Sequence, residues 1–316
     1  MGTAISGKFN AKSHESELIS VVIPTYNRND VLLNTINSLL SLNPTPAEIL
    51  IIDQTKKHHS LTEQKLTSLE NRGKIRWIRL PYPSIPRAMN IGLQSARHTI
   101  VLFLDDDIIP SKKLIGAHWR AHTDKKQNIV AGQVLQPGEK LFVDNLKTPF
   151  RFSSNRRQFI SEVMGGNFSV KREWAVETDG FDENFVRAAY RFEAEFCDRA
   201  SAAGEKIIFE PAASIRHLKT DAGGTRAYGQ HLTTLQPGHS VGAYYYLLQS
   251  KRKRHRIYKI MFHPFCAIRS RFHLKHPWWI PITLISELRG FLLALNLKVN
   301  GPKYIGPVSS KKPDNV

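Results

Sequence analysis

The first hundred residues alternate short, wholly apolar runs with stretches whose apolar residues recur at helical spacing. Leu18 to Ile23 reads as a β-strand. The turn Pro24-Thr25-Tyr26-Asn27-Arg28 closes it, and Asn29 or Asp30 can cap a helix with the apolar face Leu32, Ile36, Leu39 and Leu40. Glu48 to Ile52 predicts a second strand, Leu61 to Leu69 a short helix and Lys74 to Leu80 a third strand. Pro86 then opens a helix carrying Ala88, Leu93 and Ala96. Ile100 to Leu104 is greasy on both sides of the pleat, as in a strand buried on both faces. Further on, Lys112 to His122 predicts a helix, Asn128 to Leu135 a strand, Gln136 to Gln158 a long loop and Lys206 to Phe209 another strand. The expected fold is α/β: a mostly parallel central sheet sandwiched by helices, with a helical extension from residue 241 onward.

Two of these strands end in acid. Asp53 follows the second, and Asp105, Asp106 and Asp107 follow the fourth. Three adjacent carboxylates repel one another unless a cation or a ring of donors offsets the repulsion, and a hard divalent ion, Mg²⁺ or Mn²⁺, is the natural partner. In such sheets ligands bind outside the carboxyl ends of the strands, where Tyr26, Asp53 and Asp105 to Asp107 would converge. No Gly-x-Gly-x-x-Gly and no Gly-Lys-Ser/Thr loop is present, so phosphates would be held by metal rather than by a glycine cradle. The pair Gly165-Gly166, before Asn167, lets backbone approach a ligand closely.

Composition narrows the partners. A net charge of +18, from 45 Lys and Arg against 27 Asp and Glu, favours nucleotide phosphates, an anionic bilayer or nucleic acid. Two cysteines, Cys197 and Cys266, form no disulfide framework or Cys-x-x-Cys pair, which suits a reducing compartment. Residues 1–17 read as a short disordered lead, neither signal peptide nor anchor.

Ile19-Ser-Val-Val-Ile-Pro-Thr-Tyr-Asn-Arg28, Ile51-Ile-Asp-Gln-Thr55, Asn90-Ile-Gly92 and Phe103-Leu-Asp-Asp-Asp107 resemble, in order, the signatures of the family 2 inverting glycosyltransferases. The resemblance implies the A-type glycosyltransferase fold, Rossmann-like, over residues 18–240, with a nucleotide-binding half (18–110) and an acceptor-binding half (111–240). It places Pro24, Tyr26 and Asp53 in a nucleoside pocket, with Arg28 beside them and Asp53 accepting from a base imide N–H. Asp105 faces the ribose with Asp106 next to it, and Asp107 ligates a metal on the diphosphate. Two positions depart from the pattern. Gln54 stands where a second Asp is usual, and Met89 where Arg usually precedes Asn90, which leaves Arg87, one turn back, to reach a phosphate.

Arg191-Phe-Glu-Ala-Glu-Phe-Cys-Asp-Arg199 resembles the family's acidic pair ahead of an Arg. The catalytic base falls on Glu193, with Phe192 in place of the companion acid. Glu195 is the rival, because residues two apart lie on different sides of a helix. Gly166 and Asn167 line the substrate, His217 contacts metal or diphosphate, and Lys219 to Gly238, with Gly223-Gly224 and Arg226, forms a flap. The loop Gln136 to Gln158 reads as an acceptor-side lid.

From residue 241 the character changes. Tyr244-Tyr245-Tyr246, the basic run Lys251 to Arg256, Trp278-Trp279 and the apolar stretch Ile280 to Leu297, broken by Glu287 and Arg289, fit either a helix lying in a bilayer surface or a helical pair packed on the domain. The sequence thus points to inverting, metal-dependent transfer of a sugar from a nucleoside diphosphate donor to a glycan or lipid-linked acceptor, in cell-surface polysaccharide or glycoconjugate synthesis. The expected location is cytoplasmic, peripheral at the inner face of the membrane. The competing readings are a nucleotidyltransferase acting on sugar phosphates and a non-catalytic basic nucleic-acid-binding protein, the nucleic-acid partner being the less favoured.

Overall fold

The computed structural model describes residues 19–125, 127–143, 149–220, 223–224, 227, 231–249 and 256–305. Among these residues, nine strands form one mixed sheet. β1 (Ile19–Thr25) pairs in parallel with β2 (Glu48–Asp53) and β4 (Ile100–Leu104), and β2 with β3 (Arg76–Arg79). β8 (Asn167–Lys171) then enters antiparallel between β4 and β6 (Ile129–Leu135). β6 runs parallel to β9 (Ile207–His217), which is flanked by the short antiparallel strands β5 (Ile108–Pro110) and β7 (Gln158–Ile160).

The doubly apolar runs do what their pattern demands. Val22, Leu50, Ile52, Val101 and Phe103 fill a core on one face, and Ile19, Val21, Ile23, Ile51, Leu102 and Leu104 fill a core on the other. Helix α1 (Asp30–Leu40) turns Leu32, Leu33, Ile36 and Leu39 onto the second face, with Asp30 favoured by the helix dipole in its first turn. Helix α2 is Ser60–Asn71. Helix α3 (Ile85–Ser95) starts where Ser84 Oγ accepts from Arg87 N (3.4 Å), with Pro86 in the first turn. Its Gly92 lies directly on β1, where a Cβ would press into the Val22 side chain.

The parallel half, with α4 (Leu114–Lys125), follows the expected elements closely. The other half departs from them. β1 runs on through Pro24 to Thr25, β9 continues past Phe209 to His217, and β5, β7 and α5 (Arg172–Glu177) were not foreseen. Residues 167–171, directly after the glycine pair, form the buried strand β8, which the pattern did not show. Its polar members disguised it. Asn167 Oδ1 accepts from His118 Nε2 (2.9 Å), and Ser169 Oγ lies 2.8 Å from both His118 Nδ1 and His122 Nε2. Burial pushes these imidazoles down to about 4 (His118) and about 3 (His122), so they are neutral at pH 7 and serve as internal partners for the strand.

The remaining helices are α6 (Phe192–Ala202), α7 (Ser240–Gln249), α8 (Arg256–Ile268), α9 (Arg271–Lys275) and α10 (Ile280–Val299), with a 3₁₀ turn at Pro277–Trp279. The tyrosine triplet, which fitted either a bilayer surface or a helical pair packed on the domain, is core: Tyr244, Tyr245 and Tyr246 are buried among residues that include Val22 and Phe103. The hydroxyls of Tyr245 and Tyr246 donate to Asp182 Oδ2 (2.8 Å) and Asp198 Oδ2 (2.9 Å). The basic run lies outside the described residues except for Arg256.

Gly92→Ala should overpack the α3–β1 contact and lower stability by about 1–3 kcal/mol, read from urea denaturation midpoints. Gln94→Ala, on the exposed side of the same helix, should stay within about 0.5 kcal/mol.

Candidate functional site

Register brings the acids to one edge. Thr25 stands opposite Asp53 across β1 and β2, and the Asp105 N–H continues the β4–β8 ladder by donating to Gly166 O (3.2 Å). Beside this edge opens a crevice of about 560 Å³ lined by Pro24, Tyr26, Arg28, Asp105, Asp106, Asp107, Gly166, Glu193 and His217, all of them residues the sequence had nominated.

The three aspartates have different surroundings. Asp105 opens onto the crevice with 47% of its side chain exposed. Desolvation among the crevice walls raises its pKa, and His217 pulls it partly back. Asp106 is buried, accepts from Thr25 Oγ1 (2.7 Å) and lies 3.2 Å from Arg28 Nε. Burial pushes it up to about 7 despite Arg28. Asp107 is buried too, but the His217 hydrogen bond (Nε2 to Oδ1, 3.0 Å), the Thr220 N–H (3.0 Å to Oδ2) and Arg28 outweigh desolvation and hold it below the usual range. Thr35 Oγ1 on α1 donates to Asp106 O (2.9 Å) and accepts from Ile108 N (3.1 Å), which fixes the turn carrying the triplet. Ligand atoms of Asp105, Asp107 and His217 all lie within 4.8 Å of one another. Two carboxylates and an imidazole in that space suit a divalent ion that accepts oxygen and nitrogen, Mn²⁺ more readily than Mg²⁺.

Glu193 faces this cluster from the opposite wall, in the first turn of α6. The backbone between them is Gly165-Gly166, and each glycine lies against one of the carboxylates. A Cβ at Gly165 would lie 2.7 Å from Glu193 Oε1, and one at Gly166 would collide with Asp105 Oδ2. Burial pushes Glu193 up to about 7; its own N–H and that of Gly165 moderate the rise, and the charge of Asp105 adds to it. The approach to α6 is strained, since Arg187, Ala189 and Arg191 take φ of 62°, 50° and 75°, a region costly for residues with a Cβ. Glu195 points elsewhere. Its Oε1 pairs with Arg199 Nε (2.7 Å) and accepts from Tyr304 (3.2 Å), away from the crevice.

Four nominated residues do not reach the crevice. Asp53 has no exposed surface, and its carboxylate is taken up by His58 Nε2 (2.6 Å), Trp77 Nε1 (2.8 Å) and Thr55 N (2.8 Å). Its neighbour Gln54 lines the wall instead. Asn90 spends its amide on Phe181 O (2.8 Å) and its carbonyl on Phe181 N (2.9 Å), tethering the Gly180-Phe181 turn rather than a substrate. Asn167 donates to Gln133 O (3.0 Å) and Ala213 O (2.8 Å) besides accepting from His118, so it ties three strands together. Arg87 stacks on Tyr82 at 4.2 Å and is not part of the crevice lining.

Sequence reasoning missed Thr25, Gln136, Tyr190, Thr220 and His239. Gln136 Oε1 lies 3.2 Å from His217 Nδ1, and the Tyr190 and His239 rings are 5.7 Å apart on the Glu193 side. Of the expected flap, Thr220 holds Asp107 and Gly224 N donates to Tyr26 O (2.8 Å); Arg226 lies outside the described residues.

Residues 20–178 match the family Glycosyl transferase family 2. The chain belongs to that family. It is 24% identical over 185 residues to the uncharacterised glycosyltransferase YfnE of Bacillus subtilis strain 168, covering 57% of this chain and 44% of YfnE. It is 25% identical over 271 residues to the chondroitin synthase of Escherichia coli, covering 68% of this chain and 37% of that protein. It thus spans less than half the length of either relative. The structure of GalNAc-T7 with UDP, GalNAc and Mn²⁺ superposes with a TM-score of 0.53 at 16% identity, over 64% of this chain and 44% of that one. That likeness gives this chain the A-type glycosyltransferase fold.

Two substitutions separate crevice from scaffold. Gly166→Ala should displace Asp105 and cut glycosyl-transfer turnover about 100-fold or more, with the fold intact by circular dichroism. Asn167→Ala should instead lower the urea midpoint, by about 2–3 kcal/mol in stability, because it strands His118 and two carbonyls, while turnover per folded molecule stays unchanged.

Proposed function

We propose that this chain transfers a sugar from a nucleoside diphosphate donor to a glycan hydroxyl, with inversion, using Glu193 as the base. The observation that carries the reading is Glu193 and the Asp105–Asp107–His217 group facing one crevice across Gly165-Gly166. Inversion needs one carboxylate on the acceptor side and charge stabilisation on the leaving-group side, and the two walls supply them. The printed names of the relatives, chondroitin synthase and a GalNAc-T7 solved with UDP and Mn²⁺, support a role in building polysaccharide or glycoconjugate from a nucleotide sugar.

Pro24, Tyr26 and Gln54 form the wall against which the nucleoside packs. Asp105, Asp107 and His217 would hold Mg²⁺ or Mn²⁺, which when bound supplies positive charge to the departing diphosphate. Arg28, paired with Asp106 and Asp107, keeps the buried acids ionisable and adds fixed positive charge beneath the same place. Glu193 accepts the proton of the acceptor hydroxyl as that oxygen attacks the anomeric carbon and the sugar–phosphate bond breaks. Tyr190 and His239 border the space in which that hydroxyl would lie.

Screening nucleotide sugars for Mn²⁺-dependent thermal stabilisation should identify a donor, and Asp107→Ala should abolish the shift. Release of pyrophosphate in place of a nucleoside diphosphate would instead identify a nucleotidyltransferase.

Glu193→Gln should lower kcat roughly 10²–10⁴-fold with little change in donor affinity. Glu195→Gln should chiefly cost stability, about 1–3 kcal/mol, through its bond to Arg199. Equal residual turnover in both variants would remove Glu193 from its role. Because the carboxylate is the working form and its pKa is raised to about 7, the rate should rise with pH through an acid limb near that value. The limb should vanish in Glu193→Gln.

A further inference from the structure

We propose that the C-terminal helices present a docking face to an anionic phospholipid surface, carried by α8 and the outward side of α10. Helix α10 packs Phe291, Leu293 and Leu297 against the core, but its first half is turned inside out. Its buried stripe is Thr283, Ser286, Glu287, Gly290 and Ala294, whereas Leu284, Ile285, Leu288 and Leu292 face outward. A helix on a water-exposed surface shows the reverse. The inward polar groups are all engaged: Thr283 Oγ1 donates to Leu232 O (3.0 Å), Ser286 Oγ donates to Gln236 O (3.2 Å), and Glu287 Oε2 lies 2.8 Å from His263 Nδ1. Helix α8 has no buried residue, and Ile257, Tyr258, Met261, Phe262 and Phe265 recur on it at helical spacing, all exposed. Leu274 (85% exposed) and Trp278 (65%) extend the apolar surface. So much clustered apolar area marks an interaction site.

Charge selects the occupant. From residue 222 to 313 the chain carries 15 Lys and Arg and a single acid, Glu287, which is folded inward onto His263. Lys259, Arg269, Arg271, Lys275 and Arg289 are exposed. A second copy of a chain with net charge +18 would meet like charge. An anionic headgroup layer attracts each of these cations, worth roughly fivefold in partitioning apiece, while aromatic and leucine side chains enter the acyl boundary.

By length and composition Pro277–Val299 could cross a membrane. Its inner face, however, is bonded to Leu232, Gln236 and Ser240, so the helix lies along the surface. Ser240, whose hydroxyl donates to Ser286 O (3.1 Å), directly follows the crevice residue His239. On the transferase reading, this face holds a lipid-borne acceptor beside the Glu193 wall.

The test is co-sedimentation of the full chain with vesicles of phosphatidylcholine alone or mixed with phosphatidylglycerol. The expected result is binding to the mixed vesicles only, reversed by high salt. Phe262→Ser with Phe265→Ser, and separately Arg269→Gln with Arg271→Gln, should each weaken it roughly tenfold or more at unchanged melting temperature. Three results would overturn the proposal: equal or no binding to both vesicles, a dimer that the apolar substitutions dissociate, or retention on vesicles through high salt and alkaline washing, which marks a span. Vesicle binding is read without turnover, so a failed transferase assay leaves this result standing, and the converse holds.

Discussion

Everything at this site depends on keeping three carboxylates side by side at the end of a buried strand. Unpaired, they would protonate or drive the strand end apart. The chain answers with a shell drawn from distant segments: Thr25 at the end of β1 and Arg28 just after it, Thr35 on α1, His217 at the end of β9 and Thr220 just beyond it. That shell divides the labour. Asp106 is an internal anchor, Asp107 is held ionised, and Asp105 is left open to the crevice. The sheet topology follows from the same need, because β9 must run long enough to deliver His217 alongside Asp107.

How much of this could be read from the residues varied with the kind of signal. The parallel half was legible, because strands buried on both faces leave unbroken apolar runs and helices leave a period. β8 was not. Its Asn167 and Ser169 look like turn residues, and only the buried histidines on α4 reveal that their polar atoms are satisfied inside the protein. The acid cluster, His217 and Gly166 were found where motif and chemistry agreed. Asp53, Asn90 and Asn167 carried equally suggestive motifs, yet each is consumed by partners supplied from elsewhere in the fold, which no local spacing encodes. Thr220 and Gln136 lay inside loops read only as flap and lid, and their contacts to Asp107 and His217 depend on what long-range folding brings within reach.

The choice between Glu193 and Glu195 shows what geometry adds. Two glutamates two positions apart are equivalent as letters, but the helix they share turns one onto the crevice and the other onto Arg199 and Tyr304. The strained lead-in through Arg187, Ala189 and Arg191 sets that rotation. Phe192, standing where a second acid was expected, packs against Phe181 instead and stiffens the start of the helix.

The Gly165-Gly166 peptide has a mechanical implication. One carboxylate on either side lies against it with no side chain to act as a cushion, so the main chain itself separates Glu193 from Asp105. On the proposed reading, the width of the gap between the base and the acid cluster is therefore held by main chain alone, and a side chain added at either glycine would press directly on one of the two carboxylates.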